Sequence, residues 1–400
     1  MRVVLVTESF PPDVNGVAHS VLRTAEHLVR RGHEPLVIAP SPAVPPAAAD
    51  PCPVVRVPAL SLPGYPQVRL ALPSRRLEQL IADHRPDLVH LASPFVLGAR
   101  AMAAAERLGL PAVAVYQTDL AGYARAYRAG SGIGEAAAWR RIRTVHRAAD
   151  RTLAPSTPAA QDLTAHGVPR VRIWRRGVDS VRFDPCHRDE RLRRSLLAAG
   201  GTDPDRGVLV GYVGRLAPEK RVDLLAQVAK LPGVTLVVIG DGPSAPALRE
   251  ALPDALFLGA RSGDELAALY ASLDVFVHTG PMETFCQTVQ EAMASGVAVV
   301  GPAIGGPLDL IDHHRTGLLV PPCEPGALAR AVATLAAAPG TRAEYGAAAR
   351  AEVAGRTWES VGDQLLDHYR EILAERAQSA AADRRRHPLT GAPAHTGAAA

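Results

Sequence analysis

Residues 208–240 read VLVGYVGRLAPEKRVDLLAQVAKLPGVTLVVIG. Two short β-branched runs, VLVGYV (208–213) and VTLVVIG (234–240), flank a segment long enough for a helical crossover. Unbroken apolar runs of this length suit strands that are covered on both faces, as parallel strands are. The same beat continues downstream in ALFLG (255–259), DVFVH (274–278), VAVV (297–300) and LLV (318–320). Upstream it appears in VVLVT (3–7), PLVIA (35–39), DLVHL (87–91), PAVAVY (111–116), RTLA (151–154) and VRIW (171–174). Between the first two of these, Val17, Val21, Leu22, Ala25, Leu28 and Val29 recur at helical spacing, and Gly32 supplies the stop. Segment 284–295 behaves alike and stops at Gly296. Two sets of strands and helices predict an α/β protein with two doubly wound parallel sheets in tandem. The break falls between Arg176-Gly177-Val178-Asp179 and Pro185, which predicts domains over 1–178 and 179–357. Trp358 to 375 reads as a closing amphipathic helix, 376–400 as a disordered tail, and Gly130–Gly134 as a loop.

A chain of 400 residues, 47% hydrophobic and 21% charged, suits two globular domains and excludes wholesale disorder. No run approaches 18 apolar residues, and MRVVLVTESF reads as a buried first strand rather than a signal peptide. Cys52, Cys186, Cys286 and Cys323 are scattered without a CxxC pair, which predicts a reduced cytoplasmic chain without structural zinc. The net charge of +4 hides an asymmetry. Residues 1–180 hold 22 Arg against 14 acids, whereas 181–375 hold 18 basic residues against 25 acids. A basic first half predicts contact with an anionic surface, here a membrane and not nucleic acid. Only Lys220 and Lys230 among the 44 basic residues are lysine.

Ligands of such folds sit beyond the carboxyl ends of the strands. After the first strand, Asn15-Gly16 opens a helix whose free amides and dipole would favour an anion. An ordinary Asn-Gly turn reads equally well. Past residue 213, Gly214 is followed by Arg215 and Lys220, two cations aimed from one turn at one point. Such a pair suits a diphosphate whose charge grows as it departs. Glu283-Thr-Phe-Cys-Gln-Thr-Val-Gln-Glu291 places one carboxylate before a helix and one within it. The amides of Phe285, Cys286 and Gln287 would then form an anion cradle. Gly305-Gly306-Pro307 adds a loop of close approach. No metal site is expected, since Asp203-Pro204-Asp205 reads as a turn and His313-His314 lack ligand spacing.

The set GRLAPEK, IGDG (239–242), METFCQTVQEAMASG (282–296) and GGP (305–307) resembles retaining glycosyltransferases of the GT-B fold, family 4. With VTESFPPDVNGVAHSV, VYQTDLAGYA and RTLAPS, the chain looks most like actinobacterial GDP-mannose-dependent α-mannosyltransferases that build glycolipids. The resemblance implies roles by position. Arg215 and Lys220 hold the donor diphosphate, Glu283 meets the sugar hydroxyls, and Glu291 binds the ribose. The Asn15-Gly16 loop closes over the diphosphate, the loop around Arg261 faces the base, and the last helix crosses back onto the first domain. It also implies a nucleotide diphosphate sugar as substrate, a lipid-linked acceptor, no cofactor and no metal.

Many family members carry a histidine where this chain has Gln117, followed by Thr118 and Asp119. An amide does not titrate, so Gln117 is expected to position the sugar or acceptor hydroxyl while a donor phosphate takes the proton. Asp119 is the nearest titratable neighbour, on the same face of an extended segment. A same-fold epimerase would want acid–base carboxylates and histidines in the cleft. A UDP-sugar transferase, a dinucleotide oxidoreductase and a periplasmic-type sugar-binding module are further readings, the oxidoreductase weakened by the missing GxGxxG. Two stretches are candidates for membrane contact. One is Trp139–Arg147, read as an interfacial helix with Trp139, Ile142 and Val145 entering the lipid, or as a basic helix packed on its own domain. The other is the loop from Leu60 to Leu72.

Overall fold

The computed structural model describes residues 1–13, 15–44, 49–62, 65–72, 76–122 and 132–386. In chain order the first half contains β1 (Arg2–Val6), β2 (Glu34–Pro40), β3 (Val54–Val57), β4 (Ala59–Leu62), β5 (Tyr65–Ala71), β6 (Leu88–Leu91), β7 (Ala112–Val115), β8 (Arg151–Ala154) and β9 (Val171–Ile173). Seven of them form one parallel sheet in the order β3-β2-β1-β6-β7-β8-β9, while β4 and β5 pair as an antiparallel hairpin. The second half contains β10 (Val208–Val213), β11 (Val234–Ile239), β12 (Leu256–Gly259), β13 (Val275–Val277), β14 (Ala298–Pro302) and β15 (Gly317–Val320), a parallel sheet ordered β12-β11-β10-β13-β14-β15. Strand order reverses beside β1 and beside β10, so each sheet opens a crevice at that strand's carboxyl end.

Alternation builds the layers. Along β10, Val208, Val210 and Tyr212 join one core cluster and Leu209 and Val213 the opposite one, all buried. A strand with two buried faces has no room for a polar alternation, hence the unbroken apolar runs. The chain departs from expectation in its connections. After β10 the crossover is two 3-10 turns, Pro218–Lys220 and Val222–Ala226, separated by Arg221 at φ 49°. A left-handed residue breaks the helical ladder, so the turn stays short and tight. Residues 54–57, 59–62 and 65–71 form strands where prolines at 58, 63 and 66 obscured the pattern; the Leu60–Leu72 stretch is largely the β4–β5 hairpin, with residues 63–64 outside the description. Gly132 opens a helix that continues to Ala148, and 130–131 also lie outside it.

That helix corrects the interfacial reading. Trp139, Ile142 and Val145 are buried in the first domain, with Trp139 stacked on His166 at 3.5 Å between ring centroids. The apolar stripe is therefore core, and Arg140, Arg141, Arg143 and Arg147 face outward together with Thr144. Among the described residues, no helix is long and apolar enough to cross a membrane.

The last helix runs from Trp358 to Arg386, beyond the end expected at 375. Residues 376–386 lack apolar periodicity, but Ala and Arg are strong helix formers and extend a helix that packing has already nucleated. Residues 387–400 of the expected tail lie outside the description. The helix lies on the first domain, where Val361, Leu365, Leu366, Tyr369 and Ile372 join the cluster of Val3, Leu5, Val113 and Trp174. Trp174 Nε1 donates to the Val361 carbonyl at 2.9 Å, and the Tyr369 hydroxyl lies 2.6 Å from His90 Nδ1.

Candidate active site

The cleft is lined by the residues that follow the strands. In the second domain, Lys220 closes the first 3-10 turn, held by a 2.6 Å bond from Thr279 Oγ1 to its carbonyl. Its ammonium donates to Glu283 Oε1. His278, the residue after β13, brings Nε2 to 3.2 Å from the same oxygen. Burial would raise the carboxyl of Glu283, but Lys220 and then His278 outweigh it and hold the pKa near 2. Burial disfavours the charged ring of His278, yet Cys286 and Glu283 lift its pKa to about 9. The result is an ionised carboxylate gripped by two cations. Arg215 instead pairs with the buried Glu219, which lies one residue before Lys220. Both cations thus stand matched to carboxylates.

Glu283 does not cap the helix Gln287–Ala294; Cys286 stands at the cap position with φ 82° and makes no side-chain cap bond. Because Cys286 is left-handed, that helix starts later than the apolar spacing from 284 predicts. Phe285 is buried in the core. Gly305 and Gly306 serve the loop before that helix. A Cβ on Gly306 would stand 2.0 Å from the Phe285 carbonyl, and the Gly306 amide donates to the Glu283 carbonyl at 2.8 Å. Their close approach is to backbone. Gly214 likewise approaches backbone, its carbonyl lying 1.9 Å from where a Cβ on Gly240 would stand. Glu291 lies one turn into the helix and accepts a 3.2 Å bond from the Tyr270 hydroxyl. Burial raises its carboxyl to about 7 against the bonds from Tyr270 and Gln287. Arg261 is exposed two residues past β12 and pairs with Glu265 at 3.0 Å.

In the first domain, Asn15 caps the helix Gly16–Arg30, its Oδ1 accepting from the amides of Val17 and Ala18 at 3.0 Å each. Two of the amides expected to serve an anion are therefore taken. Gln117, buried after β7, has partners at both ends of its amide: Nε2 donates to the Ala92 carbonyl at 3.3 Å and Oε1 accepts from Arg176 Nη2 at 2.7 Å. Asp119 sits in a local turn, where it accepts the Gly122 amide at 2.8 Å. That turn replaces the extended geometry that would have aligned it with Gln117.

Three residues of the cleft walls escaped the sequence reading. His278 had one signal, its place directly after a strand. Arg176 is buried, bonded to Gln117 and to the Gly16 carbonyl, and marked only a domain boundary in the sequence. Burial lowers its pKa to about 10, with Glu283 opposing. Glu8, two residues past β1, accepts the amides of Leu97 and Gly98, and burial raises its carboxyl to about 7.

His278, Glu283 and Cys286 bring a ring nitrogen, a carboxylate oxygen and a thiol within 4.8 Å of one another, a set that ligand spacing in the sequence does not reveal. The Lys220 ammonium on the same carboxylate oxygen sets a positive charge against a cation there.

Across the cleft, Thr284 Oγ1 donates to the Gln117 carbonyl at 3.1 Å, and Thr157 donates to Asp309 through its amide at 2.7 Å. The loop holding Thr284 and the short helix Pro307–Leu310 of one domain thus touch the segments that follow β7 and β8 in the other.

Comparison with known proteins accords with this geometry. Residues 14–182 match the family described as Glycosyltransferase Family 4, and residues 199–352 that described as Glycosyl transferases group 1. The chain is 50% identical over 389 residues to a GDP-mannose-dependent alpha-mannosyltransferase of Mycolicibacterium smegmatis, covering 95% of this chain and 100% of that relative. A protein of the same description from Mycobacterium tuberculosis is 49% identical over 392 residues, covering 95% and 99%. Sucrose-phosphate synthase from Thermosynechococcus elongatus shares the fold, with a TM-score of 0.75 at 21% identity over 94% of this chain and 99% of that one. Two crevices facing each other, with family matches in both halves and relatives of half identity along nearly the whole length, place this chain among the family 4 glycosyltransferases of the GT-B fold.

Proposed function

We propose that the protein transfers mannose from GDP-mannose, with retention, to the hydroxyl of a lipid-linked acceptor. The observation that carries the chemistry is the Lys220–Glu283–His278 cluster, with Arg215 on the same wall. The half-identical relatives support mannose and GDP. Lys220 and Arg215 meet the diphosphate as the bond from C1 to its phosphate oxygen breaks. The acceptor oxygen bonds C1 from the same face, and its proton passes to the departing phosphate oxygen. Glu283 accepts from the sugar hydroxyls, and Glu291 accepts from the ribose. Calorimetry with GDP-mannose and UDP-glucose, followed by transfer of labelled mannose to a glycolipid extract, tests this. Tighter binding of UDP-glucose, or transfer of glucose in preference, would overturn it.

Donor binding should follow the ionisation of Glu291. A carboxyl with a pKa near 7 must lose its proton to accept two hydroxyls, so affinity rises with pH. Between pH 8 and pH 6 the donor Kd should weaken by up to about tenfold, as expected one unit below the pKa. Glu283 and His278 keep their charges over this span. Glu8 titrates in it too, so Glu291→Gln is the control and should flatten the profile. A wild-type Kd that stays level from pH 6 to 8 removes the ribose role.

Membrane contact, in this reading, is electrostatic and runs through Arg140, Arg141, Arg143 and Arg147. Sedimentation with vesicles containing anionic lipid should hold the protein at low salt and release it at high salt. Equal binding to neutral vesicles would sink the idea.

A further inference from the structure

Arg176 stands three residues past β9, in the connection between the two domains. Its side chain serves the first domain: Nη1 donates to the Gly16 carbonyl at 2.9 Å and Nη2 to Gln117 Oε1 at 2.7 Å. Its backbone serves the second, because its own carbonyl accepts Gln290 Nε2 at 3.1 Å and the Gly177 carbonyl accepts Gln287 Nε2 at 3.0 Å. Both glutamines belong to the helix Gln287–Ala294, which carries Glu291 and follows Glu283. One residue therefore connects the opening of the first helix, the residue two past β7 and the helix that carries Glu291.

A spacer in this place would need no charge. Arg176 is only 7% exposed, and no carboxylate among the described residues forms an ion pair with it. A buried cation without such a partner is costly, and an apolar side chain of like volume would usually be as stable or more so. What arginine adds is a planar fork that donates in two fixed directions, which lysine cannot reproduce. The fit is close: a Cβ on Gly16 would lie 2.7 Å from Nη1.

We propose that Arg176 is a positioning residue for glycosyl transfer. Through Gly16 and Gln117 it fixes the loop facing the donor diphosphate against the helix that holds the sugar and ribose carboxylates. This rests on the function proposed above. Only the intact fork aligns the two walls, so its loss slows the chemical step more than it weakens donor binding.

The test is steady-state kinetics of Arg176→Ala, Arg176→Lys and Gln117→Ala, using whichever nucleotide sugar the wild type turns over best. Failure with GDP-mannose counts against the proposed donor, and this experiment still proceeds with another. Arg176→Ala should lose roughly 10²-fold in kcat, the usual effect of misaligning reactants by about 1 Å, with donor KM within about threefold. Guanidinium ion added at millimolar concentration should restore part of the rate. Arg176→Lys, which keeps the charge, should lose about tenfold or more. If Arg176→Ala does not fold, Arg176→Lys and Gln117→Ala decide. A folded variant of Arg176 with near-wild-type kcat, a loss confined to KM, or a folded Arg176→Ala that guanidinium does not rescue would overturn the proposal.

Discussion

Lys220→Ala should lower kcat roughly 10²–10³-fold in a protein that still folds. The size follows from losing one charge-assisted contact to a leaving group in a largely dry site, worth about 2.7–4 kcal/mol. The substitution leaves the backbone in place, because Thr279 holds the Lys220 carbonyl and not its side chain. Two effects then add. The departing diphosphate loses one of its two cations, and Glu283 loses its direct ammonium partner, keeping His278 at 3.2 Å. The carboxyl pKa of Glu283 should rise, so the variant's rate should also become sensitive to mild acid. Donor KM should change less than kcat, since the contact strengthens as charge develops. Circular dichroism establishes folding, and saturating-donor turnover gives the result. Wild-type turnover in a folded variant would end the assignment of Lys220.

Tyr369→Ala should destabilise the first domain by about 3–5 kcal/mol, the range for truncating a buried aromatic side chain. Tyr369 is fully buried in the cluster between the last helix and the first sheet, and its hydroxyl meets His90 Nδ1. Burial holds His90 neutral, with a pKa near 3, so its Nδ1 can accept from the hydroxyl. Truncation leaves a cavity and also orphans a buried ring nitrogen. Tyr369→Phe separates the two and should cost about 1–3 kcal/mol, the penalty for an unsatisfied buried group. Urea unfolding followed by near-ultraviolet circular dichroism should show an early transition in the alanine variant. An unchanged midpoint would mean that the last helix does not support the first domain.

Strands were legible where burial on both faces forced apolar runs, from Val3 through Val320. The connections were less so. Arg221 adopts a left-handed conformation that its sequence does not demand, and this turns an expected helix into 3-10 turns. The hairpin at 59–71 was hidden by prolines, and residues 376–386 by the lack of an apolar stripe. In the site, Lys220 and Glu283 stood out as charges at strand ends, and they meet. Arg176 did not, because one arginine among 42 carries no distinction, and its partners Gly16 and Gln117 are 160 and 59 residues away. Trp139, Ile142 and Val145 show the converse: an amphipathic helix looks alike whether its apolar side meets lipid or its own core.

The return of the last helix constrains how the protein is made. A chain leaves the ribosome amino end first, and domains commonly fold in that order. Here the first-made domain has a gap in its core until Val361, Leu365, Leu366, Tyr369 and Ile372 arrive, after the whole second domain. The second domain, complete in sequence some residues earlier, can close first. The nascent first sheet must then wait with apolar surface uncovered while the 187 residues between Ile173 and Val361 are synthesised. That interval is a window for chaperone binding, and a ribosome stalled before residue 361 would release a chain whose first half cannot finish folding.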